Sequence, residues 1–347
     1  MERVKLPDKP ARRHPGWMRL GAVAGSFALA CAGVVAAELT LRAAGFTWFI
    51  SVSASEKPGY IFDHKGKGPF RSGSIRTNNS LGHRAPEPTE FRCSVPIIAL
   101  GDSFTQGHLL PDGQSWPEQL DRRLKGKGLD ACVYNAGVPG TGLAEQRRHL
   151  NRVLQGGGGA TPFAVIHMFF FNDFLEIASP MTAEAIRSNS FFPLFLLQGL
   201  TTSSLRFHYH LAWKHEWIRS SIPPASLLHI LWPVGYDNDL KTAYTILWEE
   251  FARELDTNGT HLLTGLIPNF TSMLREQAPE LETLLDAHRK RGIPHYVFTR
   301  KDFPEDPMLF NDFHFNAGAY GRIAERFESM FTETLSANPA SDSPLTP

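Results

Sequence analysis

From residue 95 onward the chain is organised by five short apolar runs: Val95–Leu100, Ala131–Tyr134, Phe163–Phe171, Thr260–Ile267 and Pro294–Phe298. A run of this length bounded by turn residues is the pattern of a strand buried on both faces. Between and after the runs lie stretches with helical spacing. Gln114–Lys125 places Trp116, Leu120 and Leu124 on one face; Leu143–Leu154, Thr242–Asp256, Met273–Arg291 and Ala317–Thr332 follow. Gly292 is a stop signal for the fourth of these. Strands alternating with helices mean a parallel sheet covered on both faces. The expected fold is α/β: a three-layer α/β/α sandwich around a mostly five-stranded parallel sheet in flavodoxin-like order.

The N-terminus has a different character. Arg3, Lys5, Lys9, Arg12, Arg13 and Arg19 precede an uncharged apolar run from Leu20 to Ala37, which Glu38 ends. Eighteen residues at helical rise span roughly 27 Å, close to the thickness of a bilayer core. The run predicts a transmembrane signal anchor over 20–37. The basic residues before it predict residues 1–19 in the cytoplasm and the rest outside. A cleaved signal peptide is the competing reading, because small residues (Ala36, Ala37) end the run. The localisation that follows is the inner (cytoplasmic) membrane, single-pass, with the main domain on the periplasmic or extracellular side.

Residues 43–93 sustain no helical period and are expected to form an extended lead-in packed across the domain at 94–335. Residues from about 180 to 250 hold many aromatics and several prolines, and are expected to form an insertion or lid. The aromatic cluster from Phe191 to Trp232 reads as packing. The tail, 336–347, has a disordered composition. Lys+Arg and Asp+Glu are both 35, so no net positive field points to nucleic acid. Of the three cysteines, Cys31 lies in the apolar run. Cys93 and Cys132 read first as two buried thiols, with one disulfide as the alternative in an oxidising compartment. No Cys/His spacing suggests a metal, and no organic cofactor is implied. There is neither a GxGxxG fingerprint nor a GxSxG elbow.

Three polar stations fall where the strands of such a sheet end, Gly101-Asp102-Ser103, Asn135 to Gly142 and Asn172-Asp173, and a fourth, Asp312-Phe313-His314, lies in the loop before the last helix, which would return to the same edge. Open α/β sheets bind ligands beyond the carboxyl ends of their strands. Each station alone is ordinary turn chemistry: Ser103 or Thr105 can cap a helix, and Asn-Asp pairs are common in turns. Together they can converge on one point. Asp102 and Asp173 read as structural turn residues, and His167 as a buried core histidine. His108 and His149 have no partner pattern.

At these residues the chain resembles the SGNH (GDSL-like) hydrolase superfamily over roughly residues 93–335, leaving 180–250 unmatched. Gly101-Asp102-Ser103 looks like its nucleophile block, Gly140 like its second-block glycine, and Asn172 like its third-block asparagine. Asp312 and His314 look like its last-block acid and base. The segment from Arg76 to Arg84 (RTNNSLGHR) is also similar to the lead-in of membrane-anchored bacterial members. Two departures stand out: Phe170 replaces the usual glycine of Gly-x-Asn-Asp, and the last block reads Asp-x-His with Asn311 ahead of it.

The resemblance implies a serine esterase or deacylase with a Ser103–His314–Asp312 triad. Its oxyanion hole comprises the backbone N–H groups of Ser103 and Gly140 and the amide of Asn172. The expected substrate is an O-acyl ester, such as an acetylated carbohydrate of the cell envelope. The alternatives are an O-acyltransferase working beside a membrane acyl-transfer partner, and a catalytically degenerate carbohydrate-binding domain.

Overall fold

A computed structural model describes residues 16–43, 59–63, 74–157, 161–174, 207–221, 238–309 and 314–337. The central sheet has five strands: β3 (Val95–Gly101), β4 (Ala131–Asn135), β5 (Ala164–Phe170), β6 (His261–Ile267) and β7 (His295–Val297). They lie in the order β4-β3-β5-β6-β7, every pair parallel. That is the flavodoxin-like order expected, and the direction of the chain reverses its progress across the sheet between β3 and β5. The carboxyl ends of β3 and β5 therefore flank a natural crevice.

Helices cover both faces. On one side lie α3 (Trp116–Gly126) and α8 (Ala317–Ala337); on the other lie α4 (Leu143–Gly156), α5 (Asn238–Thr257) and α7 (Glu282–Arg291). The i, i+4 spacing of Trp116, Leu120 and Leu124 turns all three inward, where each is fully buried. The Trp116 ring meets Phe327 of α8 at 4.6 Å. Full burial of one large apolar side chain stabilises a fold by about 2–3 kcal/mol. Helix α3 starts in a capping box, in which Ser115 and Glu118 satisfy each other's backbone amides.

Several expectations need correction. The Met273–Arg291 helix is two: α6 (Phe270–Arg275) and α7, separated by a 3₁₀ turn at Pro279–Leu281. Glu276 ends α6 in a left-handed conformation (φ 58°), and Pro279 has no amide to continue the ladder. The 43–93 segment is not wholly irregular, since β1 (Gly59–Asp63) and β2 (Ser74–Asn78) pair antiparallel. Helix α5 begins at Asn238 and belongs to the sandwich, so the insertion ends earlier than about 250. Cys93 and Cys132 are joined in a disulfide rather than standing as two thiols.

Helix α1 (Gly16–Ala43) encloses the apolar run, and Leu29, Val34, Val35 and Leu39 are exposed on it. Among the described residues no helix is long and apolar enough to cross a membrane. Most of the insertion, including Phe191, Phe192, Phe195 and Trp232 of the aromatic cluster, and the 338–347 tail lie outside the described residues. The described part of the insertion forms helices at 207–214 and Glu216–Ser221. There Trp213 Nε1 donates to Phe303 O, and Tyr209 OH bonds Thr271 Oγ1.

Candidate active site

The site begins where β3 stops. Gly101 sits at φ 154°, and a Cβ on it would lie 2.3 Å from Thr105 Oγ1 and 2.7 Å from Met168 O. Only glycine lets β3 turn this sharply against β5. Asp102 then caps α2 (Ser103–Gln106), its carboxylate accepting from Phe104 N at 2.9 Å. Ser103 is the first residue of that turn and stays half-exposed. Asp102 therefore has the structural role read from the sequence, and it is completely buried.

Ser103 Oγ lies 2.9 Å from Nε2 of His314. The two residues are 211 positions apart in the chain. The segment carrying His314 is closed on itself: Leu309 N donates to His314 O at 2.7 Å, Asn316 N donates to Pro307 O, and Met308 bridges Phe315. The His314 ring packs against Phe104 (5.0 Å between centroids) and His108 (4.6 Å). Asp312 lies outside the described residues.

The second station forms the adjoining wall. Ala136 N donates to Ala99 O and Val138 N to Gly101 O, so the chain leaving β4 runs along the end of β3. Gly137 permits this approach, because a Cβ there would sit 2.3 Å from Gln106 N. Asn135 fixes the turn, accepting from Gly137 N and donating to Gln106 O and Ser115 Oγ. Gly140 follows in a left-handed conformation (φ 70°) and is exposed.

Asn172 comes from the 3₁₀ turn Phe171–Phe174 directly after β5, and its side chain hydrogen-bonds the Asp102 carboxyl. Asn172 is thus set one residue from the nucleophile position. Burial pushes Asp102 up to about 6, opposed by the Phe104 amide, His314 and the Asn172 side chain. Asp173 is structural as expected: it accepts from Phe170 N and from Gln146 Nε2. Phe170 is a core ring rather than an open strand end, tilted against Phe104 at 4.1 Å and Phe270 at 5.6 Å between centroids.

His167 is a fully buried core histidine. Its Nε2 faces the Gln146 carbonyl oxygen at 3.0 Å, and burial holds its pKa down to about 3. His149 has a partner that sequence spacing did not reveal, His83, at 2.9 Å. His108 was named in the sequence without a role, and its placement against His314 depends on a loop whose course only the fold gives. Among the described residues no group of three or more His, Cys, Asp or Glu is arranged to hold a metal ion.

Residues 97–196 match the family of GDSL-like lipases and acylhydrolases. The matched stretch takes in Ser103, whose hydroxyl is in hydrogen-bond contact with His314. Among solved structures the chain is similar to the SGNH-hydrolase esterase AlinE4, with 17% identity and a TM-score of 0.38, over 71% of this chain and 98% of that one. It is also similar to the psychrotrophic esterase EstA from Pseudoalteromonas sp., at 15% identity and a TM-score of 0.40, covering 70% and 98%. The acetyl xylan esterase AlAXEase shows 13% identity and a TM-score of 0.41, over 68% and 98%. No curated protein matches the chain.

Proposed function

We propose that the chain is a serine esterase or deacylase of the cell envelope, held at the inner membrane by its apolar N-terminal segment, that removes a short acyl group from an O-acylated carbohydrate. The observation that carries the chemistry is the 2.9 Å contact between Ser103 Oγ and His314 Nε2. A serine hydroxyl is a weak nucleophile until a base takes its proton. His314 accepts that proton as Oγ attacks the ester carbonyl, and returns it to the leaving alkoxide. Asp312 is the acid of the expected triad, whose part is to stabilise the imidazolium. Negative charge building on the carbonyl oxygen meets the N–H groups of Ser103 and Gly140 and the amide of Asn172. The Asp102 carboxyl, bonded to Asn172, aims that amide. Water then attacks the acyl-enzyme, with His314 as general base, and releases Ser103.

Two observations support the location. The uncharged run Leu20–Ala37 lies within one continuous helix with exposed apolar side chains. The Cys93–Cys132 disulfide suits an oxidising compartment outside the cytoplasm.

The test is hydrolysis of p-nitrophenyl acetate and of acetylated xylan by the full chain beside Ser103→Ala, His314→Gln and Asn172→Ala. Ser103→Ala and His314→Gln are expected to lose turnover while remaining folded. Asn172→Ala is expected to lose about 100- to 1,000-fold in kcat. A Ser103→Ala protein as active as the parent would remove the reading. Release of acetate to water, as opposed to its transfer to an added sugar, separates the esterase from an acyltransferase.

A further inference from the structure

The lead-in contributes one residue that the reaction scheme does not use. Arg84 is a cation with 1% of its side chain exposed. Removing a guanidinium from water costs several kcal/mol unless every donor is matched. Here each is. Nη1 donates to Gly107 O and Leu110 O, both at 3.0 Å, and more weakly to Gln106 O; Nη2 donates to Pro111 O. Glu118 takes Nε and Nη2, and Asp112 lies 3.5 Å from Nε. The loop leaving α2 is therefore folded around the Arg84 fork. It is also a tight loop, with Gly107 and Leu109 both at positive φ.

That loop carries His108. Its amide donates to Ser103 O at 3.1 Å, and its ring, only 5% exposed, forms the wall against His314. Arg84 is itself anchored from behind. Asn79 Nδ2 donates to Tyr134 OH at 2.6 Å, and His83 bridges Tyr134 and His149. The chain 78–84 thus spans from the α4 side of the sheet to the back of the nucleophile turn.

We propose that Arg84 is a positioning residue for catalysis: by gathering the carbonyls of 106–111 it seats His108 against His314 and so fixes the base on Ser103. The segment before the GDSL-like match then belongs to the catalytic apparatus. The inference rests on Ser103 and His314 being the reacting pair.

The experiment uses the full chain with Arg84→Met, Arg84→Lys, His108→Ala and the Arg84→Met/His108→Ala double variant. Turnover of p-nitrophenyl acetate is followed across pH, and Ser103 is titrated with a fluorophosphonate to count competent sites. Per competent site, Arg84→Met is expected to lose about 10- to 100-fold in kcat, with KM changed by less than about threefold and a displaced pH profile. Arg84→Lys is expected to recover part of the loss, since one ammonium cannot serve both sides of the loop. His108→Ala should reproduce the loss with Arg84 in place, and the double variant should add nothing to it. If Arg84→Met does not fold, His108→Ala decides alone. Parent-like kcat and pH profile in His108→Ala, or in a folded Arg84→Met, overturn the inference. A parent that neither turns over nor is phosphonylated removes the reaction itself, and this inference with it.

Discussion

Removing the Cys93–Cys132 bridge tests the fold and the compartment in one variant. The bond closes a loop with a sequence separation of 39, containing β3, α2 and α3. The chain-entropy expression for a loop of that length gives about 13 cal/mol/K, or about 4 kcal/mol at 25 °C, of lost freedom in the unfolded chain. The bridge joins the residue two before β3 to the second residue of β4, beside the Pro96–Cys132 register pair. It therefore sits at the opposite ends of the strands from Ser103. Cys93→Ala/Cys132→Ala should unfold earlier in urea while retaining the parent's activity per folded molecule. At a urea slope of about 3 kcal/mol/M, 4 kcal/mol lowers the midpoint by about 1.3 M. Tryptophan fluorescence of oxidised parent, reduced parent and variant reads this directly. A midpoint shifted by less than about 0.3 M would refute the reasoning, because the bridge would then not be constraining the unfolded chain. Reduced parent and variant should coincide.

Two further predictions concern stability. Burial holds His83, His167 and His288 down to about 3, so each is neutral in the fold. Unfolded, they titrate near 6.5; their contribution is complete above that pH and is lost as pH falls toward 3. Asp102, raised to about 6, has the opposite sign: its contribution is present below about pH 4 and lost as pH rises through 6. Near pH 5 the three histidines cost about 4 kcal/mol per pH unit and Asp102 offsets about 1. Urea midpoints measured from pH 7.5 to 5 should fall steeply, and a flat profile would contradict the burial of these rings. Gly137→Ala should destabilise by about 2–3 kcal/mol, because its Cβ meets backbone of Gln106 and Thr105 rather than a flexible side-chain end. A thermal midpoint equal to the parent's would show that the two turns are less closely packed.

The sheet was readable because its strands are short apolar runs with sharp ends. All five strands lie where the runs lie, since strands covered on both faces are made mostly of apolar residues. Helix α3 was equally plain, because Trp116, Leu120 and Leu124 repeat at one turn's spacing. The break between α6 and α7 was harder. Pro279 was visible, but the left-handed Glu276 is a backbone choice that composition does not announce. The bond between Cys93 and Cys132 was open in sequence because bonding depends on distance, and β3–β4 pairing sets that distance.

By itself the sequence determined which residue types stand at the turns: Ser103 and Asn172 just past strand ends, and His314 in the loop before the last helix, are named by local pattern, since such a boundary is a local event. Only the tertiary structure decided what those residues touch. The contact of Ser103 with His314 spans 211 positions and exists because β3 and the segment before α8 end at the same edge of the sheet. The enclosure of Arg84 by four backbone carbonyls and two carboxylates, and of His83 by Tyr134 and His149, carries no local signature at all. A buried charge or an uncharged buried histidine is defined by the groups packed around it, and those arrive from distant parts of the chain.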